Sequence, residues 1–177
     1  ISSLTDSRSI IKPFDVKRLD AAPTLDGVLS ADEYKGSVIQ SFMYNQLGAD
    51  ATFDQSDISG TWRLAYHNNV MYGLVERTDD TTINNHATNY ENDAVEVFYD
   101  YGTIFKQMRS IVGEDFEFQH SERLHKAVWN DEGTIMEFAI EMPESDLTGL
   151  TVGFNIALSD NDDANAQREA QLYPFYG

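Results

Sequence analysis

Tyr90-Glu91-Asn92-Asp93-Ala94-Val95-Glu96-Val97-Phe98-Tyr99-Asp100 is where the chemistry of this chain is densest. Its alternation predicts a β-strand with Val95, Val97 and Tyr99 on one face and Ala94, Glu96 and Phe98 on the other. A carboxylate in mid-strand, between apolar neighbours on its own face, is costly to bury without a partner. Glu96 is therefore expected to be solvated, ion-paired, bound to metal or offered to a ligand. Tyr90, at the mouth of the strand, adds a flat ring for stacking. A ring, a strand-borne carboxylate and a nearby cation are the means of gripping a polar, ring-shaped ligand such as a sugar. The alternative is a half-exposed strand whose glutamate simply faces water.

Two polar loops offer a different chemistry. Residues 78–89 open with Asp79-Asp80 after Thr78 and are rich in Asn and Thr, and residues 160–167 open Asp160-Asn161-Asp162-Asp163. Clustered carboxylates and side-chain amides are the hard oxygen donors that calcium takes roughly six to eight at a time. Asp79, Asp80, Asp160 and Asp162 are the expected ligands of a structural calcium. Neither loop carries the glycine and terminal glutamate of a helix-loop-helix calcium site, and solvation of the acids is the alternative.

Catalysis has less to stand on. There is no Gly-x-Ser-x-Gly elbow, no His-Glu-x-x-His helix and no phosphate loop, and His67, His86, His120 and His125 share no metal-ligand spacing. Two acids hydrolyse a glycosidic bond only as a facing pair roughly 5–10 Å apart. The expectation is a non-catalytic protein.

The elements that must position these groups are strands. Trp62, Leu64 and Tyr66 alternate, a His67-Asn68-Asn69 turn follows, and Val70, Tyr72 and Leu74 alternate in return, which is a β-hairpin. The Tyr90–Asp100 strand is next, with Gln107–Val112 and Phe116–Gln119 as weaker candidates. Asn130-Asp131-Glu132-Gly133 turns the chain between Leu124–Trp129 and Thr134–Glu141, where Met136, Phe138 and Ile140 share a face. Leu150–Ser159 alternates once more. Pro13 marks residues 1–20 as an edge strand or wrapping arm. Helical turns are expected only at Ser30–Tyr34, from capping-box spacing, and at Glu144–Leu147. The fold class is all-β, an antiparallel sandwich of immunoglobulin-like or jelly-roll-like kind.

With 177 residues the chain suits one domain with its own core, and 30 acidic against 12 basic residues leave a net charge of −18. That surface repels nucleic acid and anionic lipid. No apolar run is long enough for a membrane span, and the absence of cysteine excludes disulfides and thiolate metal sites. A chain opening on Ile1 is compatible with a removed export signal, so a secreted, cell-surface or periplasmic station is expected, with the domain cut from a longer polypeptide.

The order of the pieces resembles family 9 carbohydrate-binding modules. The resemblance rests on Ala22-Pro23-Thr24-Leu25-Asp26-Gly27, Trp62-Arg63-Leu64-Ala65-Tyr66, Met71-Tyr72-Gly73-Leu74-Val75, Thr78-Asp79-Asp80, Asp93-Ala94-Val95-Glu96-Val97, and Gly153-Phe154-Asn155-Ile156 through Asp160 to Arg168. It implies a β-sandwich with structural calcium that binds glucan, xylan or related chains at their ends without cleaving them. It further implies stacking by Tyr90, where tryptophan is common, hydroxyl contacts by Glu96, and a partner arginine at Arg109. The asparagine expected two residues on is Ile111 here. A second stacking ring belongs before a final strand, and Tyr173, within Leu172-Tyr173-Pro174-Phe175-Tyr176, is its candidate. Related sandwiches hold haem, for which Met108 with His120 or His125 is the candidate set. A sugar-blind adhesion or spacer domain is the remaining alternative.

Overall fold

The computed structural model describes residues 13–30, 32–47, 54–102, 104–117 and 123–174. Among them no helix is long and apolar enough to cross a membrane. The strands are β1 (Lys17–Arg18), β2 (Gln40–Ser41), β3 (Tyr44–Asn45), β4 (Ile58–His67), β5 (Val70–Asp79), β6 (Ala94–Tyr101), β7 (Ile104–Ile111), β8 (His125–Trp129), β9 (Ile135–Glu141), β10 (Gly153–Asp160) and β11 (Ala170–Tyr173). The first sheet runs β1-β4-β5-β9-β8, with β2 also on β4, and the second runs β3-β11-β10-β6-β7. All pairings are antiparallel except the short β1–β4 contact. The chain is the expected all-β sandwich.

Period-two alternation turns one face of each sheet inward. Val95, Val97, Tyr99, Met108, Ile156, Leu158 and Leu172 of the second sheet meet Ile58, Trp62, Leu64, Met136, Phe138 and Ile140 of the first in a single core. Trp62 is packed between Phe14 and Phe154, with ring centroids 5.9 and 5.5 Å away. Both tryptophans serve packing, Trp129 more peripherally.

At Gly73, opposite Phe138 in the β5–β9 register, a Cβ would lie 2.0 Å from the Phe138 ring. Since Phe138 is fully buried, its ring has nowhere to go. Gly73→Ala is expected to cost about 3 kcal/mol by overpacking, read as a lower urea midpoint at unchanged slope. A midpoint equal to wild type would show that the ring yields freely.

The outer face of the first sheet is covered by the chain's own early residues, with Leu19 and Tyr34 packed on Ala65, Tyr72, Leu74 and Ala139. Buried Glu137 bolts this cover down. Its carboxylate accepts the backbone N–H groups of Asp26 and Gly27 (3.0 and 2.9 Å) and the Tyr34 hydroxyl (3.2 Å). Gly27 adopts φ 73°, and a Cβ there would meet the Trp129–Asn130 backbone at 2.6 Å, so the turn admits no larger residue.

Several local expectations are corrected. Residues 32–36 form successive turns (Glu33 N to Ser30 O, Lys35 N to Asp32 O, Ser37 N to Tyr34 O), not a helical turn, because the Glu33 carboxylate accepts the Thr24 N–H instead of closing a capping box on Ser30. Glu144–Leu147 is likewise non-helical: Glu144 accepts the Tyr101 hydroxyl and Asp146 caps Thr148. Tyr90 stands outside β6, in a 3-10 turn (Asn89–Glu91), and β10 starts at Gly153 instead of Leu150. Only an isolated bridge, Arg109 with Glu117, stands at the Phe116–Gln119 candidate, whose last two residues lie outside the described ones. Ile10, Ile11, His120, Phe175 and Tyr176 also lie outside the described residues.

Candidate functional site

The second sheet presents an outer face unlike that of the first. Glu96 pairs with Arg109 across β6–β7 and with Ala157 across β6–β10, so the three share this face, along with Phe98, Gln107 and Asn155 one pleat further on. Glu96 is only 2% exposed, and its desolvation is met by four donors. Gln107 Nε2 donates to Oε2 at 2.7 Å. Arg168 Nη1, Gln171 Nε2 and Arg109 Nε reach Oε1 at 3.0, 3.2 and 3.5 Å. Of the four options open to this carboxylate, the structure realises ion pairing, and the solvated alternative is excluded by its burial.

The network has a rim. Arg109 Nη1 donates to Glu117 Oε2 (3.1 Å), whose other oxygen accepts Asn89 Nδ2 (2.5 Å). Asn89 precedes Tyr90, and Glu91, which follows it, accepts the Arg168 N–H at 2.6 Å. The 3-10 turn carrying Tyr90 is therefore tied on both sides to groups that hold Glu96. Tyr90 itself is 51% exposed. At the other end Tyr173 contacts the Phe98 ring (centroids 6.3 Å apart), and burial together with the nearby Glu96 charge raises its hydroxyl pKa. Tyr90, Glu96, Arg109 and Tyr173 thus all border or enter one network. Sequence reasoning missed Gln107, Glu117, Arg168 and Gln171. Gln107 was recoverable, being two residues from Arg109 and so on its face; Arg168 ends the last segment of the family resemblance but was given no role there.

The acidic loops converge nearby. Asp79 joins Asp93 and Asp160, and Asp80 joins Asp57 and Asp162, each trio offering carboxylate oxygens within 4.8 Å of one another. Each of the four expected ligands falls in one of these trios, but as two groups completed by Asp57 and Asp93. In the inner trio Arg77 Nη2 contacts Asp79 and Asp93 (3.4 Å to the latter) and donates to Thr82. One guanidinium faces three carboxylates. Both oxygens of fully buried Asp160 lack a hydrogen-bond partner among the described residues. Burial pushes Asp93 up to about 7 against the pull of Arg77, and burial with Asp57, Asp162 and Glu169 pushes Asp160 up to about 7. An all-oxygen donor set with orphaned buried oxygens fits a hard cation such as calcium.

Met108 points into the apolar core, away from the Glu96 face, and the His125 ring is stacked on Tyr99 with Nε2 3.3 Å from its hydroxyl.

The family profile described as carbohydrate family 9 binding domain-like matches residues 25–172. Among solved structures, a family 9 carbohydrate-binding module from Caldicellulosiruptor kristjanssonii in complex with glucose is similar at TM-score 0.72 and 20% identity, over 90% of this chain and 86% of that one. The same module in complex with cellotriose gives TM-score 0.72 and 20% identity over 90% and 84%. A putative carbohydrate-binding protein from Bacteroides uniformis is similar at TM-score 0.57 and 12% identity over 90% and 88%. No curated protein matches the chain.

Proposed function

This chain belongs to the carbohydrate family 9 binding domain-like family, and on that premise we propose that it is a non-catalytic carbohydrate-binding module whose sugar lies on the outer face of the second sheet. The observation that carries the reading is the Glu96 network beside an exposed ring. A buried carboxylate holding two guanidinium groups in place preorganises them, and a guanidinium has five N–H donors. Arg109 and Arg168 each keep N–H groups beyond those given to Glu96, Glu117 and Ser159. These are suited to neutral sugar hydroxyls, while Tyr90 stacks on the pyranose and Tyr173 closes the far side. Glu96 acts first as the anchor of those donors. A hydroxyl reaches its Oε2 by taking the place of Gln107.

Glucan or xylan chains, engaged at an end, are the ligands this reading favours. It carries with it a structural calcium held by Asp79, Asp93 and Asp160 or by Asp57, Asp80 and Asp162, and an extracellular or periplasmic station tethered to other domains. Calorimetric titration with glucose, cellotriose and xylan fragments tests it directly. Tyr90→Ala is expected to weaken binding by about tenfold with an unchanged melting temperature, since the ring is half in solvent. A destabilised variant with wild-type affinity would make Tyr90 a packing residue. Absence of any carbohydrate binding would leave a sugar-blind spacer.

A further inference from the structure

The same outer face continues past the Glu96 network to a third row of side chains. In the β6–β7 register Glu96 faces Arg109, Phe98 faces Gln107, and Asp100 faces Phe105. Because every second residue shares a face, Phe105 and Asp100 stand on the side that carries Glu96 and Arg109. Phe105 is 63% exposed, more than any other large hydrophobic residue among those described. Asp100 is exposed beside it, and next across the sheet comes Gly153, whose absent Cβ would lie only 3.2 Å from that of Asp100. A flat backbone floor, a bare ring and an exposed carboxylate therefore lie in one row. Four residues of strand separate this row from Arg109, about 14 Å at strand rise, which is beyond the reach of a single pyranose.

The geometry points to a second sugar-contact site at Phe105 and Asp100, engaged by longer β-linked glucan chains that start at Tyr90 and Glu96 and run along β6 and β7. Phe105 supplies a stacking surface for a distal sugar unit, and Asp100 accepts hydrogen bonds from its hydroxyls over the open floor at Gly153. The inference rests on the proposed sugar site at Glu96 and adds chain-length preference to it. Exposure of an aromatic ring on an edge strand also invites self-association, and the experiment separates the two.

Wild type, Phe105→Ala and Asp100→Asn would be titrated with glucose, cellotriose and cellohexaose, and each sized by sedimentation. Wild type is expected to bind cellohexaose more tightly than glucose. Phe105→Ala is expected to lose about three- to tenfold in cellohexaose affinity and nothing for glucose. Asp100→Asn should show the same pattern with a smaller loss. Equal losses for glucose and cellohexaose, no loss for cellohexaose, or a changed oligomeric state without changed affinity would each overturn the second site while leaving the one at Glu96 standing. No sugar binding by wild type would overturn both.

Discussion

Stripping divalent cations is expected to lower the melting temperature by about 10 °C. Calcium bound a thousandfold above its dissociation constant stabilises the native state by about 4 kcal/mol, and a chain of this size shifts by about 2–4 °C per kcal/mol. The reason lies in the inner trio, where Asp79, Asp93 and Asp160 have a single guanidinium, that of Arg77, among them. The pH dependence has a definite sign. Asp93 and Asp160 are raised from 3.8 to about 7, so the fold favours their protonated forms. Their favourable contribution is complete below about pH 4 and is lost as pH rises through about 7. Metal-free protein should thus be more stable at pH 5 than at pH 8 as far as these groups decide it, and saturating calcium should remove that difference. Asp160→Asn should abolish the response to calcium without destabilising the metal-free protein, because it deletes a buried charge that has no hydrogen-bond partner. Calorimetric melts with and without chelator at both pH values decide the matter; identical melts, with no metal by elemental analysis, would leave the inner acids buried beside Arg77 with no cation to bind.

Glu96→Ala is expected to cost about 3–5 kcal/mol of stability and to abolish sugar binding, because it strands two guanidinium groups and two amides that now share one buried acceptor. Glu96→Gln separates recognition from folding. The amide fills the same space but turns a donor toward donors, so Arg109 and Arg168 lose their common anchor. Sugar affinity should fall at least about tenfold while most of the packing is retained. The two variants are read together by thermal melting and calorimetric titration. Wild-type affinity in a correctly folded Glu96→Gln protein would confine Glu96 to a structural role and move recognition elsewhere.

What was legible from sequence follows the range of the forces involved. Val95, Val97 and Tyr99, and again Met136, Phe138 and Ile140, alternate because one face of each strand is buried, and periodicity records that directly. The helical expectations at Ser30–Tyr34 and Glu144–Leu147 failed because short polar motifs have several partners available. Glu33 found Thr24, and Glu144 found Tyr101 across a separation of 43 residues. The site was legible only in part for a related reason. Arg109 was named because it lies on the strand that follows β6. Arg168 and Gln171 approach Glu96 from 72 and 75 residues away, through a β10–β11 placement that no local pattern encodes. Asp57 and Asp93 were missed as partners of the acidic loops because each lies beyond the loop that its neighbour Asp80 or Asp79 opens.

The strand order of the second sheet also sets when the site comes into being. β6 and β7 are a local hairpin that closes a short loop, but β10 must return to β6 from the far side of β8 and β9, β11 follows on β10, and β3 joins β11 at Tyr44 and Tyr173. Closing such loops costs entropy before any contact repays it, which makes non-local sheets slow to assemble. During synthesis, Glu96 emerges from the ribosome long before Arg168 and Gln171 do. For that interval its carboxylate has Gln107 and Arg109 at most, and the strand bearing it lacks its β10 neighbour. A nascent chain halted before residue 153 should therefore expose an unpaired β6 edge to chaperones, and ligand added at that stage should find nothing to hold.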